Sequence, residues 1–258
     1  MPPDADRHRP EAEKDPGGVV KHGRTQKRMK KGGDDMFWDH AAGVYDIFVN
    51  LINRKTHTAL KRIVAGQIAA GDRVLECACG TGMLTSVIAE RGAVLTATDF
   101  SEKMLKKAEK NCSAYPGIAF RYADITALDF PSGSFDKAVA GNVLHLLDEP
   151  LKALSELDRV VREGGLLIIP TYMNRDREGK TSSFASAVGH AGADFKRQFT
   201  VESYRQFFLD AGYPDVTVTL AEGRIPCAVA VMKKKTAHEP LMTRLPVRNP
   251  GQDGSPSE

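Results

Sequence analysis

The run Arg73-Val74-Leu75-Glu76-Cys77-Ala78-Cys79-Gly80-Thr81-Gly82 constrains the fold more than any other part of the chain. A segment suited to a buried strand passes into small residues and glycines, and an apolar helical segment, Met83 to Arg91, follows at once. A strand that turns on glycines into a helix opens a doubly wound α/β sheet, and such sheets bind ligands outside the carboxyl ends of their strands. The chain beyond keeps the alternation. Strands are expected at Val94 to Thr98, Ile118 to Tyr122, Phe135 to Ala140 and Leu166 to Thr171. Helices are expected from Ser101 to Asn111, with Ser101 as N-cap, and from Pro150 to Arg162, stopped by Gly164-Gly165. Glu202 to Ala211 reads as a further helix, followed by strands near Val216–Leu220 and Cys227–Met232. Their connection at Glu222–Pro226 is too short for a helical crossover, so those two strands should form an antiparallel hairpin. Upstream, Phe37 to Ile68 has apolar residues at helical spacing and reads as two helices that break near Asn53–Thr56.

With 258 residues, 41% apolar and 27% charged, the chain suits one α/β domain with additions. That domain is expected over residues 36–235, with 36–70 as an N-terminal helical cap and 174–199 as an insertion after the fifth strand. The insertion sets Phe184, Phe195 and Phe199 among Gly, Ser and Ala, the composition of a lid with apolar anchors. Residues 1–35 and 236–258 are rich in Pro, Gly and charge, and they are expected to be disordered because little apolar surface offsets the entropy of ordering. Lys21 to Lys31 carries six Lys/Arg and no acid. It reads either as a foothold on anionic lipid or RNA, or more plainly as a solvated leader upstream of Met29 or Met36. No apolar run reaches the ~18–20 residues of a membrane span. The charged start is expected to carry no secretory signal, and four cysteines make no disulfide framework, so the cytoplasm is the expected location. A net charge of +3, without a basic stripe interleaved with aromatics, gives no reason to expect a nucleic-acid partner.

Seventeen residues after Gly82, Asp99 ends the second strand, where a carboxylate can accept from both hydroxyls of a ribose. Two nucleotide readings compete. A dinucleotide turn wants a third glycine where Thr85 stands, and Glu76 just before the turn would repel a pyrophosphate. A nucleoside with positive charge near its middle would be held by that same acid. S-Adenosylmethionine, with an ammonium and a sulfonium, is such a molecule, and it is the expected cofactor.

Taken together, Leu75-Glu76-Cys77-Ala78-Cys79-Gly80-Thr81-Gly82, Asp99-Phe100-Ser101-Glu102-Lys103-Met104-Leu105, Ala123-Asp124-Ile125, Ser134-Phe135-Asp136 and Arg159-Val160-Val161-Arg162-Glu163-Gly164-Gly165 resemble the class I S-adenosylmethionine-dependent methyltransferases. The resemblance spans roughly Phe37 to Leu220. It implies a seven-stranded sheet, six strands parallel and one antiparallel, with helices on both faces. It also implies that Glu76, Ala78, Gly80 and Gly82 surround the methionine portion, Asp99 the ribose and Asp124 the adenine amine. Phe100 and Ile125 would flank the adenine, and Asn142 would lie near the methionine end. Ala78 stands where many members have Gly, as in the ubiquinone/menaquinone C-methyltransferase group. Tyr45-Asp46 and His57-Thr58-Ala59-Leu60-Lys61 also look like that group. Its Arg-Asn-Val element is replaced here by Gly141-Asn142-Val143, so the cofactor is better supported than a quinone acceptor.

Methyl transfer needs nucleophile, methyl carbon and sulfur in line, water excluded, and a base wherever the acceptor gives up a proton. His145, three residues past Asn142, is the candidate base; fixing its own loop is the alternative. Tyr45 is expected either to close over the cofactor or to pack in the cap, and Tyr172 either to touch substrate or to cover the sheet end. Cys77 and Cys79 lack further ligands nearby, so no metal is expected. Asn142 is followed by Val143-Leu144 and not by Pro-Pro-aromatic, against methylation of DNA bases, and no cysteine lies between Cys112 and Cys227, against arsenite. The expectation is methyl transfer to a small, partly apolar molecule. Three alternatives stand beside it: a quinone or phospholipid methyltransferase at a membrane surface, a non-catalytic cofactor- or partner-binding module, and a nicotinamide oxidoreductase.

Overall fold

The computed structural model describes residues 53–173 and 196–235. The two tails, the first cap helix with Tyr45, and the insertion with Phe184 and Phe195 lie outside the described residues, apart from 196–199. The elements run α1 (Arg54–Ala65), β1 (Arg73–Cys77), α2 (Met83–Glu90), β2 (Val94–Asp99), α3 (Glu102–Asn111), β3 (Ala119–Tyr122) and β4 (Phe135–Ala140). A 3-10 turn at Leu144–Leu146 leads to α4 (Pro150–Val160), β5 (Val161–Tyr172), α5 (Val201–Asp210), β6 (Thr217–Ala221) and β7 (Cys227–Lys233).

The seven strands form one sheet in the order β3-β2-β1-β4-β5-β7-β6. The pairs β1–β2, β1–β4, β2–β3 and β4–β5 are parallel, and β7 runs antiparallel to both β5 and β6. The expected hairpin and the six-plus-one count are therefore both present. Strand alternation sorts the core into two layers. Val74, Val139 and Ile168 pack with Leu60, Val64, Leu84 and Ile88 of α1 and α2. Leu75, Ala138 and Leu167 pack with Leu154 and Leu157 of α4 and Tyr204 and Phe208 of α5. Burial on both faces is what a central parallel strand requires, and β1 is buried from Val74 to Cys77. The expected cap on α3 is also present, with the Met104 N–H donating to Ser101 Oγ at 3.2 Å.

One boundary differs from expectation. The fourth helix stops at Val160, and β5 begins at Val161, ahead of the two glycines. Phe135 pairs with Val161, whereas Lys137 pairs with Leu166, so the ladder shifts register across Arg162–Gly165. The glycines serve this irregularity and not the helix end: a Cβ at Gly165 would collide with the Asp136 carbonyl and with Val161.

Two polar clamps hold the strand ends in place. Arg159 forms a forked pair with Glu156 and donates to the carbonyls of Phe130 (2.7 Å) and Leu128 (2.8 Å), while Glu156 accepts from the Leu128 N–H. The segment after β3, which carries Asp124, is thereby tied to α4. Asn53, fully buried, pairs with both main-chain groups of Ile225, donating to its carbonyl at 2.9 Å and accepting from its N–H at 3.1 Å. Thr56 Oγ1 donates to the same Asn53 oxygen at 2.6 Å. These bonds fix the start of α1 on the β6–β7 connection. Asn53→Ala would leave the buried Ile225 N–H without its partner, at about 1–3 kcal/mol, while the Ile225 carbonyl keeps the Thr56 hydroxyl. Chemical denaturation should show a clear loss of stability for this variant, larger than that of Thr58→Ala on the exposed side of the same helix.

Candidate active site

The site grows from the carboxyl end of β1. The chain leaves the strand through Ala78 at φ 54°, a left-handed conformation that costs a residue with a Cβ about 1–2 kcal/mol. The Gly82 N–H closes the turn by donating to the Cys79 carbonyl at 3.0 Å. At φ 94° Gly82 packs directly on α3: a Cβ there would come within 2.8 Å of Cys112 Sγ and 3.3 Å of Ala108 Cα. Gly82 thus lets α2 and α3 approach, a packing duty, whereas a Cβ on Gly80 would point into open space. The Gly80 N–H donates to Asp99 Oδ2 at 2.8 Å, and the Ser101 N–H donates to Oδ1 at 2.9 Å. Burial pushes the Asp99 carboxyl upward, and the main-chain donors at Ser101, Gly80 and Phe100 oppose that shift. Asp99 is thereby oriented while each oxygen keeps a lone pair for another donor.

Glu76 lies one pleat below, on the α1–α2 face and 2% exposed. Its Oε2 is buried and completes no hydrogen bond among the described residues. Burial pushes the Glu76 carboxyl up to about 8; Thr85 draws it down and the Asp99 charge adds to the rise. An unsatisfied buried carboxyl oxygen is costly, and it is suited to a ligand that brings its own cationic donor.

The remaining expected residues fall around this centre. Phe100 is 45% exposed and stands against Tyr122, 48% exposed, with ring centroids 5.5 Å apart; Tyr122 pairs in register with Asp99. Asp124 Oδ1 accepts from the Thr126 N–H and hydroxyl, both at 2.8 Å, so one oxygen builds the turn and Oδ2 faces no such duty. Ile125 is buried in the layer with Leu128 and Leu154. Asn142, at φ 56°, bridges two strands: its N–H donates to the Pro170 carbonyl at 2.8 Å, and its Oδ1 accepts from the Tyr172 N–H at 3.0 Å. His145 is buried in the 3-10 turn, burial draws its imidazole down to about 4, and its carbonyl accepts from the Arg197 N–H at 3.1 Å. Tyr172 ends β5, and its hydroxyl lies 2.7 Å from His57 Nε2 of α1. No group of three His, Cys, Asp or Glu side chains is gathered for a metal among the described residues.

Comparison with known proteins places this geometry. Residues 75–169 match the family model described as a methyltransferase domain. A demethylmenaquinone methyltransferase of Renibacterium salmoninarum is 34% identical over 200 residues, 70% of this chain and 83% of the relative. The chain belongs to the class I S-adenosylmethionine-dependent methyltransferases. A demethylmenaquinone methyltransferase of Clavibacter sepedonicus is 33% identical over 150 residues, 57% of this chain and 60% of the relative, so the match spans under two thirds of that relative's length. Among solved structures, a methyltransferase of Thermotoga maritima superposes with a TM-score of 0.63 at 20% identity, covering 78% of this chain and 99% of that one, a likeness of fold.

The methyltransferase is an enzyme whose cofactor is S-adenosylmethionine, and its residues fit that molecule. The unsatisfied Glu76 oxygen suits the ammonium, the open side of Gly80 leaves room beside it, and Asp99 can accept from ribose hydroxyls. Three contributors were not evident in the sequence. His57 stood out only within the His57–Lys61 run that resembles the quinone-methylating group, Tyr122 ended an unremarkable strand, and Asn53 marked only a helix break. The signal for Tyr122 was its place level with Asp99 on the neighbouring strand; nothing local gave the partners of the other two.

The Glu76 carboxyl sets two expected outcomes. Its folded value lies above that of the unfolded chain, so its contribution to stability is complete below pH 4.5 and is lost as pH rises through about 8. Melting of the ligand-free protein should show that decline, and Glu76→Gln should flatten it. A cation at Oε2 favours the ionised carboxylate, so S-adenosylhomocysteine, which keeps the ammonium, should bind more tightly as pH rises towards 8. Calorimetry should record proton release on binding that Glu76→Gln removes. Asp99→Ala should weaken the same binding by about 1.5–3 kcal/mol.

Proposed function

We propose that the enzyme methylates a small, partly apolar ring acceptor of the quinol class, in the cytoplasm. Bound S-adenosylmethionine supplies a methyl carbon already activated by the sulfonium charge. In this reading Glu76 and the Ala78–Gly82 turn hold its methionine end, Asp99 its ribose, and Asp124 with Phe100 its adenine. Ile125 backs the adenine from within the core, and Tyr45 and Asn142 complete the methionine side.

The observation that carries the acceptor class is a short polar string set into an apolar wall. Asn142, Tyr172 and His57 join β4, β5 and α1 through hydrogen bonds, and Tyr172 packs among Leu60, Leu84 and Ile225. Such a wall suits an aromatic ring carrying one or two polar oxygens. The demethylmenaquinone methyltransferases among the relatives, by their names, act on a molecule of this kind. Four free, buried thiols favour a reducing compartment.

Incubation with methyl-labelled S-adenosylmethionine and chemically reduced demethylmenaquinone in mixed micelles should move label into the organic phase, with a ring-methylated product by mass spectrometry. Label passing to phosphatidylethanolamine vesicles, with none to the quinol, would overturn the reading.

A further inference from the structure

We propose that Tyr172 and His57 form the proton-accepting pair of the reaction, with Tyr172 touching the acceptor and His57 taking the proton through it. This inference rests on the quinol reading, since a quinol gives up a proton when it is methylated.

The placement is specific. The Tyr172 N–H is held by Asn142 Oδ1 at 3.0 Å, and Asn142 sits just beyond the carboxyl end of β4. Tyr172 closes β5, on the layer that also contains Val74, Leu84 and Val139 around Glu76. Its hydroxyl reaches His57 Nε2 at 2.7 Å, across 115 residues of sequence. His57 is carried by the first turn of α1, whose start is anchored to Ile225 by the Asn53 and Thr56 bonds. A tyrosine and a histidine are thus held in contact by three separately braced elements. Both side chains are buried, which keeps bulk water away from the transfer.

The step balances with no other reagent. The acceptor's electron pair forms the bond to the methyl carbon as the methyl–sulfur bond breaks, and that pair stays on sulfur. The proton leaving the acceptor passes to Tyr172 Oη, while the hydroxyl proton of Tyr172 passes to His57 Nε2, with His57 starting as the Nδ1–H tautomer. Tyr172 ends neutral and His57 ends as imidazolium. A positive charge disappears at sulfur as one appears on the imidazole, so the total charge is conserved. Burial and the nearby Lys61 lower the His57 pKa, which favours the neutral imidazole that the relay starts from.

A pair that merely ties α1 to β5 would make the same contact, so the test separates the two roles. Nitrogen-15 NMR of histidine-labelled protein with S-adenosylhomocysteine needs no turnover. The expected result is an acceptor-type His57 Nε2 whose shift changes in Tyr172→Phe; an Nε2–H tautomer would overturn the proposal. In single-turnover assays with reduced demethylmenaquinone, Tyr172→Phe and His57→Gln should each lose at least about 100-fold in rate. S-Adenosylhomocysteine affinity and KM should be little changed. Gln keeps an acceptor for the tyrosine hydroxyl but cannot become cationic, so a wild-type rate in His57→Gln refutes the relay. Loss of rate in His145→Gln with none in His57→Gln would refute it too. Exogenous imidazoles should restore His57→Ala in order of their basicity, which filling a hole would not require. Failure of the wild-type enzyme to methylate the quinol would count against the acceptor class, while the NMR tautomer still decides the pair.

Discussion

Glu76 places a carboxyl group where the fold would be better served by a methyl. It sits between Leu75 and Cys77 in a strand covered on both faces, with one oxygen that no described donor reaches. In a protein of marginal stability a buried polar atom without a partner is a measurable burden, and removing it would leave the sheet intact. Its presence makes sense as a device for the bound state. Burial pushes the carboxyl up to about 8, and a cationic donor at Oε2 would favour its ionised form. Once ionised, the same atom would favour a cationic nucleoside over a diphosphate at the turn above it.

Around that group the candidate site is built from loops, and each is tied to a different neighbouring element. The Ala78–Gly82 turn is joined to β2 through the Gly80–Asp99 bond and pressed on α3 at Gly82. The segment with Asp124 is fastened to α4 by Arg159 and Glu156. Asn142 stitches the ends of β4 and β5. Two residues with a Cβ, Ala78 and Asn142, adopt left-handed backbone angles at the two places where the chain leaves central strands. Strain of this kind persists only where surrounding contacts over-determine it, and it tends to gather at functional sites.

Much of this was legible in the sequence because the decisive signals are local. The strand–turn–helix at 73–91, the N-cap at Ser101 and the short connection before β7 each depend on neighbours a few residues apart, and all appear as expected. The end of α4 did not, because Gly164-Gly165 looks like a helix stop whether the preceding residues coil or pair. Only the register shift between Phe135 and Lys137 shows that Val161 already belongs to the sheet. The partners of His57 and Asn53 were hidden for a related reason. Their meaning lies in contacts with Tyr172 and Ile225, which no periodicity of α1 encodes.

The Asn53–Ile225 clamp joins residues 172 positions apart. Contacts of such separation form late, since the intervening chain must be organised before they gain anything. On the ribosome, α1 is made first among these elements yet stays without its anchor until the closing hairpin emerges. The glycine turn and β2 can pair while synthesis continues, but α1 gains its Asn53 anchor only with the β6–β7 connection. A truncated product that ends before β7 would therefore keep the glycine turn and leave the start of α1 without its clamp.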